Sequence, residues 1–171
     1  MDERETFDAM VETHTRALLR TAFLLTGDPH LAEDLLQTAL VKTWSRWRTL
    51  RDSGRADVYV RRVMATTCTA WWRRRWRAEV PTGAPPDLPT ADAYGGADDR
   101  VELGRALARL TPRQRAAVVL RFYEDLPESD VAAALGCSVG TVKSQASRGL
   151  RKLQEVLDGA PATYDRKKVQ G

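Results

Sequence analysis

The segment from Glu79 to Ala97 constrains most strongly what this 171-residue chain can fold into. Val80-Pro81-Thr82-Gly83-Ala84-Pro85-Pro86-Asp87-Leu88-Pro89 holds four of the eight prolines, and Tyr94-Gly95-Gly96 follows. Proline fixes φ and removes a backbone donor, and glycine costs entropy to order. No apolar period runs through the segment, so neither helix nor strand is expected there. It reads as a flexible, Pro/Gly-rich acidic linker over 79–97, a semi-extended tether between halves of about 78 and 74 residues.

Halves of that size can each bury a small core if they are mostly helical. The apolar spacing supports this. Met10, Val11, Ala17, Leu18, Ala22 and Leu25 mark one helix, which Thr26-Gly27-Asp28-Pro29 ends. A second is expected from His30 to Trp47, with Leu36, Leu40, Trp44 and Trp47 along one stripe, and a turn over 49–54. A long helix follows from Asp57 to Ala78, with Val60, Val63, Met64 and Trp71 facing inward. Beyond the linker, helices are expected over 99–108, from Thr111-Pro112 onward, over 127–135 and over 138–157. Thr111 and Ser138 serve as N-caps, and Pro112 opens its helix. The two-residue alternation of a strand is missing throughout. The expected fold class is all-α: two small helical domains, 5–78 and 98–157, with a disordered tail over 158–171.

Composition narrows the function classes. With 43% apolar and 29% charged residues, the chain is too apolar to stay unfolded. Its longest uncharged run, Val131 to Val142, is too short for a bilayer, which needs about 20 residues. Met1-Asp2-Glu3-Arg4-Glu5 is acidic where a secretory signal is basic, so a cytoplasmic protein is expected. Two cysteines and two histidines do not make a disulfide framework or a zinc site. Cys68 and Cys137 read as small apolar packing residues. No nucleophile–base set or phosphate loop is present, so neither an enzyme nor a cofactor is expected.

Charge is unevenly distributed. Residues 57–79 carry six arginines against two acids, and residues 138–153 carry four bases and no acid. Residues 80–104 between them carry five acids and one base. Two basic segments separated by an acidic one suit two contacts with a polyanion.

The most specific signal lies at 127–150. Gly136 suits the left-handed end of one helix, and Ser138 the cap of the next. Val131, Leu135, Val139 and Val142 are expected to clamp the pair. The outer face then shows Thr141, Lys143, Ser144, Ser147, Arg148 and Arg151, hydroxyls and bases that suit phosphates and base edges in a major groove. This is a helix-turn-helix. In the first half, Trp71-Trp72-Arg73-Arg74-Arg75-Trp76-Arg77 combines phosphate-binding arginines with aromatics that can stack on unpaired bases. Packing of Trp72 and Trp76 in the core, with the arginines reaching water, is the competing reading. Fully extended, the 19-residue tether spans at most roughly 65 Å at about 3.4 Å per residue. That is comparable to some 19 base pairs, so one chain can hold two separated DNA elements.

These pieces, in this order, resemble the extracytoplasmic-function group of sigma-70-family RNA polymerase sigma factors over about residues 5–157. Asp34-Leu35-Leu36-Gln37-Thr38-Ala39-Leu40-Val41-Lys42-Thr43-Trp44 is similar to the family's core-polymerase docking helix. Tyr59-Val60-Arg61-Arg62-Val63-Met64-Ala65-Thr66-Thr67, running into Trp71-Trp72-Arg73, resembles its promoter-melting segment. Leu110-Thr111-Pro112-Arg113-Gln114-Arg115 with Val118-Val119-Leu120-Arg121 resembles the opening of its C-terminal domain, and Val139-Gly140-Thr141-Val142-Lys143-Ser144 its upstream-element reader.

The resemblance implies a sigma factor that directs promoter recognition and DNA opening for a specific, stress-responsive gene set. Core RNA polymerase and promoter DNA are the implied partners, with an anti-sigma factor admitted as a third. The chain would act as a monomer within the holoenzyme, without membrane contact. Implied docking residues are Asp34, Leu35, Leu36, Gln37, Leu40 and Trp44. Implied minus-10 residues are Tyr59, Arg62, Thr66, Trp71, Trp72 and Arg73, and the helix-turn-helix face above reads the minus-35 duplex. Many members have Asn where this chain has Thr66, and a large apolar residue where it has Ser147. The single hydroxyl of threonine lacks the two-sided contact of an amide, so the family's minus-10 preference does not carry over through Thr66. A dimeric helix-turn-helix regulator is the rival, but no obvious dimerisation helix is present. An adaptor that never touches DNA sits poorly with the basic 138–153 face.

Overall fold

The computed structural model describes residues 2–78 and 98–159. The linker, the tail from 160 onward and the side chains of residues 75–78, Trp76 among them, and of 98–101 lie outside the described residues. Helix α1 spans Glu3–Thr26, α2 Pro29–Trp44, α3 Trp47–Leu50 and α4 Ala56–Ala78. Helix α5 spans Asp98–Ala108, α6 Pro112–Val118, α7 Glu128–Leu135 and α8 Val139–Asp158. A 3₁₀ turn over Arg51–Ser53 follows α3, and a π-helical turn over Val119–Tyr123 follows α6. Among the described residues there is no strand, and no helix is long and apolar enough to cross a membrane.

Local chemistry sets most helix ends. Asp2 and Glu5 form a capping box that opens α1, and Gly27, at φ 72°, closes it. Asp28 caps α2 through the Leu31 amide, with Pro29 at its first position. Thr111 and Gln114 form a second capping box at α6. Gly136 takes φ 64° at the end of α7, and Ser138 caps α8.

Two ends differ from the sequence-based expectation. Helix α2 stops at Trp44, three residues before Trp47. The break turns Trp47 inward: its indole Nε1 donates to Thr6 Oγ1 at 3.1 Å, and Phe7 meets its ring edge-on. The expected Leu36–Trp47 stripe therefore divides, with Leu36 and Trp47 buried and Trp44 exposed. Val139 opens α8 on its solvent side and is exposed, so it does not clamp the helix pair. Val131, Leu135 and Val142 do, joined by Ala146.

Helices α1, α2 and α4 form the first unit and α5–α8 the second. Each has inward apolar residues of its own, such as Leu18, Leu35 and Met64 in one and Val119, Leu120 and Val131 in the other. The two are also in contact, α4 against α6 and α7, and α1 against α5 and α6. One buried apolar cluster runs through both, from Leu25, Ala65 and Cys68 to Leu107, Leu110 and Ala116. The tether therefore joins halves that share a surface, which helical periodicity within each half does not reveal.

Helix α8 approaches α6 most closely at Gly149. A Cβ there would lie 2.6 Å from Val118 Cγ2 and 3.2 Å from the Gln114 carbonyl oxygen. The backbone oxygen cannot rotate away as a side chain can. Gly149→Ala is expected to cost about 1–3 kcal/mol through overpacking. A thermal melt followed by circular dichroism checks this, and an unchanged midpoint would show that α6 and α8 are not in close contact.

The cysteines occupy unlike surroundings. Cys68 is buried under the end of α1, its Sγ 3.6 Å from the Leu25 carbonyl, whereas Cys137 is only partly covered in the α7–α8 turn. Burial pushes the Cys68 thiol up to about 11, against the opposing pulls of the Arg115 charge and a hydrogen bond with Trp72. Only thiolate reacts, so Cys68 is expected to be inert at pH 8 while Cys137 is modified. Titration with an aromatic disulfide reagent, native and then in denaturant, reads this directly. Equal rates for both thiols in the native protein would contradict the burial of Cys68.

Candidate nucleic-acid interface

Helix α8 carries the first basic face. At 3.6 residues per turn, Thr141, Ser144, Arg148 and Arg151 fall within about 80° of one another. Ser144, Arg148 and Arg151 are exposed, and so are Lys143 and Ser147 beside them. Thr141 is half-buried: its amide donates to the Ser138 cap at 3.1 Å, and the two hydroxyls lie 2.9 Å apart. Ser144 donates to the Thr141 carbonyl. Lys143 is drawn towards α7 by Glu128, 3.7 Å away. Among the described residues, no carboxylate pairs with Arg148 or Arg151. An exposed guanidinium without a protein counter-ion is available for phosphate or a guanine edge.

Helix α4 carries the second. Tyr59, Arg62, Thr66, Thr69 and Arg73 share one face by the same geometry. Trp71 lies about 160° around the helix from the centre of that face. It is half-buried against the apolar cluster and stands apart from the other residues expected to meet unpaired DNA. Trp72 borders the face, its ring 5.7 Å beneath the Arg115 guanidinium. The core reading of this tryptophan is thus partly met, since it packs against the cluster while one edge lines a surface cleft. Arg73 and Arg74 are exposed.

The same cleft brings the two basic faces together. It is lined by Thr69, Trp72 and Arg73 from α4, by Arg113 and Gln114 from α6, and by Gln145 and Arg148 from α8. Arg113 and Gln145 are missing from the sequence-derived set. Gln145 stands one turn before Arg148 on α8, a legible i, i+3 spacing, but it is uncharged. Arg113 lies on a different helix, so no spacing rule connects it to Arg148.

The polymerase-facing expectation is divided by burial. Leu35 and Leu36 point into the core of the first unit, at 0% and 4% exposure. Their side chains cannot reach a partner while α2 stays folded, which corrects the expected docking set. Asp34, Gln37 and Trp44 are exposed, and Leu40 is half-buried at their margin. Val41, 70% exposed, completes the stripe Asp34, Gln37, Val41, Trp44. It was legible from its spacing within that helix. Trp44 is held at a fixed angle by Phe7, with ring centroids 5.0 Å apart in an edge-to-face contact.

Nothing in this arrangement suggests covalent chemistry, and among the described residues no group of His, Cys, Asp and Glu could hold a metal ion.

Comparison with known proteins agrees with the geometry. Residues 10–78 match the family model for sigma-70 region 2, and residues 100–153 match that for sigma-70 region 4. The RNA polymerase sigma-E factor of Streptomyces coelicolor is 48% identical over 157 residues, covering 92% of this chain and 89% of the relative. The ECF RNA polymerase sigma factor SigL of Mycobacterium tuberculosis is 30% identical over 154 residues, 87% of each chain. Among solved structures, the Bartonella quintana sigma factor RpoE, in complex with the anti-sigma factor NepR, matches with a TM-score of 0.67 and 26% identity. That match covers 90% of this chain and 97% of the other. Helices α1–α4 are thus region 2 and helices α5–α8 region 4, and the chain belongs to the extracytoplasmic-function group of sigma-70-family RNA polymerase sigma factors, proteins of transcription initiation rather than enzymes.

Proposed function

We propose that this chain acts in the cytoplasm as a promoter-specificity subunit whose two basic faces divide the promoter between them. Helix α8 lies in the major groove of the upstream, minus-35 duplex through Ser144, Arg148 and Arg151, with Lys143 and Ser147 at its edges. The α4 face of Tyr59, Arg62, Thr66 and Arg73, bordered by Trp72, holds unpaired bases of the minus-10 element. The stripe Asp34, Gln37, Val41 and Trp44 on α2 docks on core RNA polymerase. One observation carries this reading: Arg148 and Arg151 stand exposed, without carboxylate partners among the described residues, on the outer face of a Ser138-capped second helix.

The mechanism is differential binding. Base pairs open transiently, and an α4 face that binds only the unpaired strand shifts that equilibrium towards the open promoter. Stacking on an aromatic side chain contributes about 1–3 kcal/mol per base. Phosphate contacts from the arginines fix register without reading sequence. At Thr66 a single hydroxyl faces the strand, so it offers fewer hydrogen bonds to a base than an amide. An anti-sigma partner is supported by the Bartonella neighbour, which was solved with one bound.

Transcription from a pool of genomic promoter fragments, with purified bacterial core polymerase, tests the proposal. Start-specific transcripts that require the protein are expected. Protection of a palindrome by the protein alone, with no transcript, would overturn it.

Three mutational outcomes follow. Arg148→Ala is expected to weaken binding of holoenzyme to the upstream duplex by about 1–3 kcal/mol, provided the side chain reads a guanine. Titration of matched and mismatched duplexes measures this, and unchanged affinity and preference would remove Arg148 from the reader. Leu36→Ala and Trp44→Ala are expected to fail differently. Leu36→Ala loses about 2–5 kcal/mol of stability by opening a cavity. Trp44→Ala keeps its helicity but loses affinity for core polymerase. A folded Trp44→Ala protein that binds core normally would contradict the docking role.

A further inference from the structure

Helix α2 brings to α4 one cation that the assignments above leave without a role. Lys42 is exposed, and its Nζ donates to Thr67 Oγ1 on α4 at 3.1 Å. Thr67 belongs to the buried stripe of Val60, Met64 and Thr67. At about 100° per residue, it stands at the edge of that stripe nearer Thr66. The opposite edge leads to Cys68, which lies under the end of α1 with its Sγ 3.6 Å from the Leu25 carbonyl. Lys42 therefore meets α4 on the side turned away from α1. That side carries no carboxylate: Tyr59, Val63, Thr66, Ala70 and Arg74 fall there within about 80° of one another. Thr66 and Arg74 are exposed, and the other three are half-buried.

The surroundings of Lys42 differ from those of its neighbours. Arg62 Nη2 is 3.2 Å from Asp130 Oδ1 on α7, and the Thr66 hydroxyl donates to the Ala134 carbonyl at 3.0 Å. Lys42 meets a neutral hydroxyl, and among the described residues no carboxylate pairs with it. A lysine ammonium on its four-carbon stem is otherwise a loosely placed point charge. One hydrogen bond to the buried Thr67 fixes the head and leaves two N–H donors for other acceptors. A fixed cation with free donors, beside a helix flank without acid, suits a phosphate.

We propose that Lys42 is a phosphate contact for the unpaired minus-10 strand, holding its backbone from α2 while a base lies against the Thr66 side of α4. The proposal deepens the assignment of that α4 face to minus-10 DNA and rests on it. Phosphate contacts carry no sequence information, whereas Thr66 offers a base one hydroxyl. Binding of the strand thus leans on backbone charge, and Lys42 strengthens it equally whichever base stands at Thr66. Thr67 places the ammonium before the strand arrives, so less side-chain entropy is lost on binding.

The test uses holoenzyme assembled from the full chain and bacterial core polymerase. The probe is a fluorescent fork DNA cut from a promoter recovered by the transcription assay, duplex upstream and single-stranded from the minus-10 element. Affinity is titrated at several salt concentrations. Loss of one phosphate contact to a single strand makes the slope of log affinity against log salt shallower by about 0.7. Lys42→Met keeps the stem and removes the charge. It is expected to show that change and to weaken binding of forks with any minus-10 base alike. Lys42→Arg is expected to keep the wild-type slope. Thr67→Val removes the hydrogen bond but not the ammonium, and is expected to keep the slope too. A lysine that merely ties α2 to α4 predicts otherwise: Lys42→Met and Thr67→Val would lower the melting temperature alike and leave the slope unchanged. Circular dichroism verifies each fold, and core binding is measured separately so that only assembled holoenzyme is compared. Arg73→Met, on the α4 face itself, is the reference. A shallower slope for Arg73→Met with an unchanged slope for folded Lys42→Met would overturn the proposal alone. Unchanged slopes for both would overturn it together with the minus-10 assignment of the α4 face.

Discussion

The buried guanidinium of Arg115 connects more of this structure than any other single group. It is 5% exposed, yet four of its five N–H donors are used: Nε to the Leu107 carbonyl at 3.0 Å, Nη1 to Leu25 at 3.2 Å, and Nη2 to Ala108 and Leu110 at 3.3 Å each. Three of those carbonyls lie at the end of α5 or in the turn after it, where a helix leaves oxygens without intrahelical partners. The fourth belongs to the last turn of α1, in the other unit. Burial lowers the Arg115 pKa, and the ring of carbonyls with the face of Trp72 replaces the water it has lost. An arginine buried in this way is costly unless its donors find partners, which ties the α5–α6 turn, the end of α1 and Trp72 to one position.

That constraint fixes where the two basic faces lie. Arg115 sits in α6, whose capped start lines the cleft shared with Arg148, and α6 in turn supports α8 at Gly149. Trp72 borders the α4 face and is held by the same guanidinium. The two basic faces are thus not independent decorations of two domains. They meet across a junction that combines the shared apolar cluster, from Leu25, Ala65 and Cys68 to Leu107, Leu110 and Ala116, with the buried polar contacts of Arg115.

Much of the fold was legible where the signal is local. Thr111-Pro112 with Gln114, Ser138 and Gly136 each act within a few residues, and each helix end falls where their chemistry puts it. Residues with tertiary partners were less legible. Apolar spacing alone continues α2 to Trp47, whereas its indole bonds to Thr6, forty-one residues earlier, a contact that no local pattern carries. Leu35 and Leu36 enter the docking set through the family resemblance of residues 34–44, which does not tell which of those side chains the chain's own core covers. The junction itself was not legible: Arg115 looks like its surface neighbour Arg113, and Asp130 like an ordinary acid in the first turn of a helix.

Photocrosslinking in an open promoter complex tests the division of the promoter most directly. A crosslinking amino acid at position 73 on α4 and another at position 148 on α8 report which DNA each face touches when core polymerase is present. The account predicts that the position 73 probe labels the unpaired strand at the minus-10 element, while the position 148 probe labels only the upstream duplex. Labelling of the same duplex segment by both probes would contradict it.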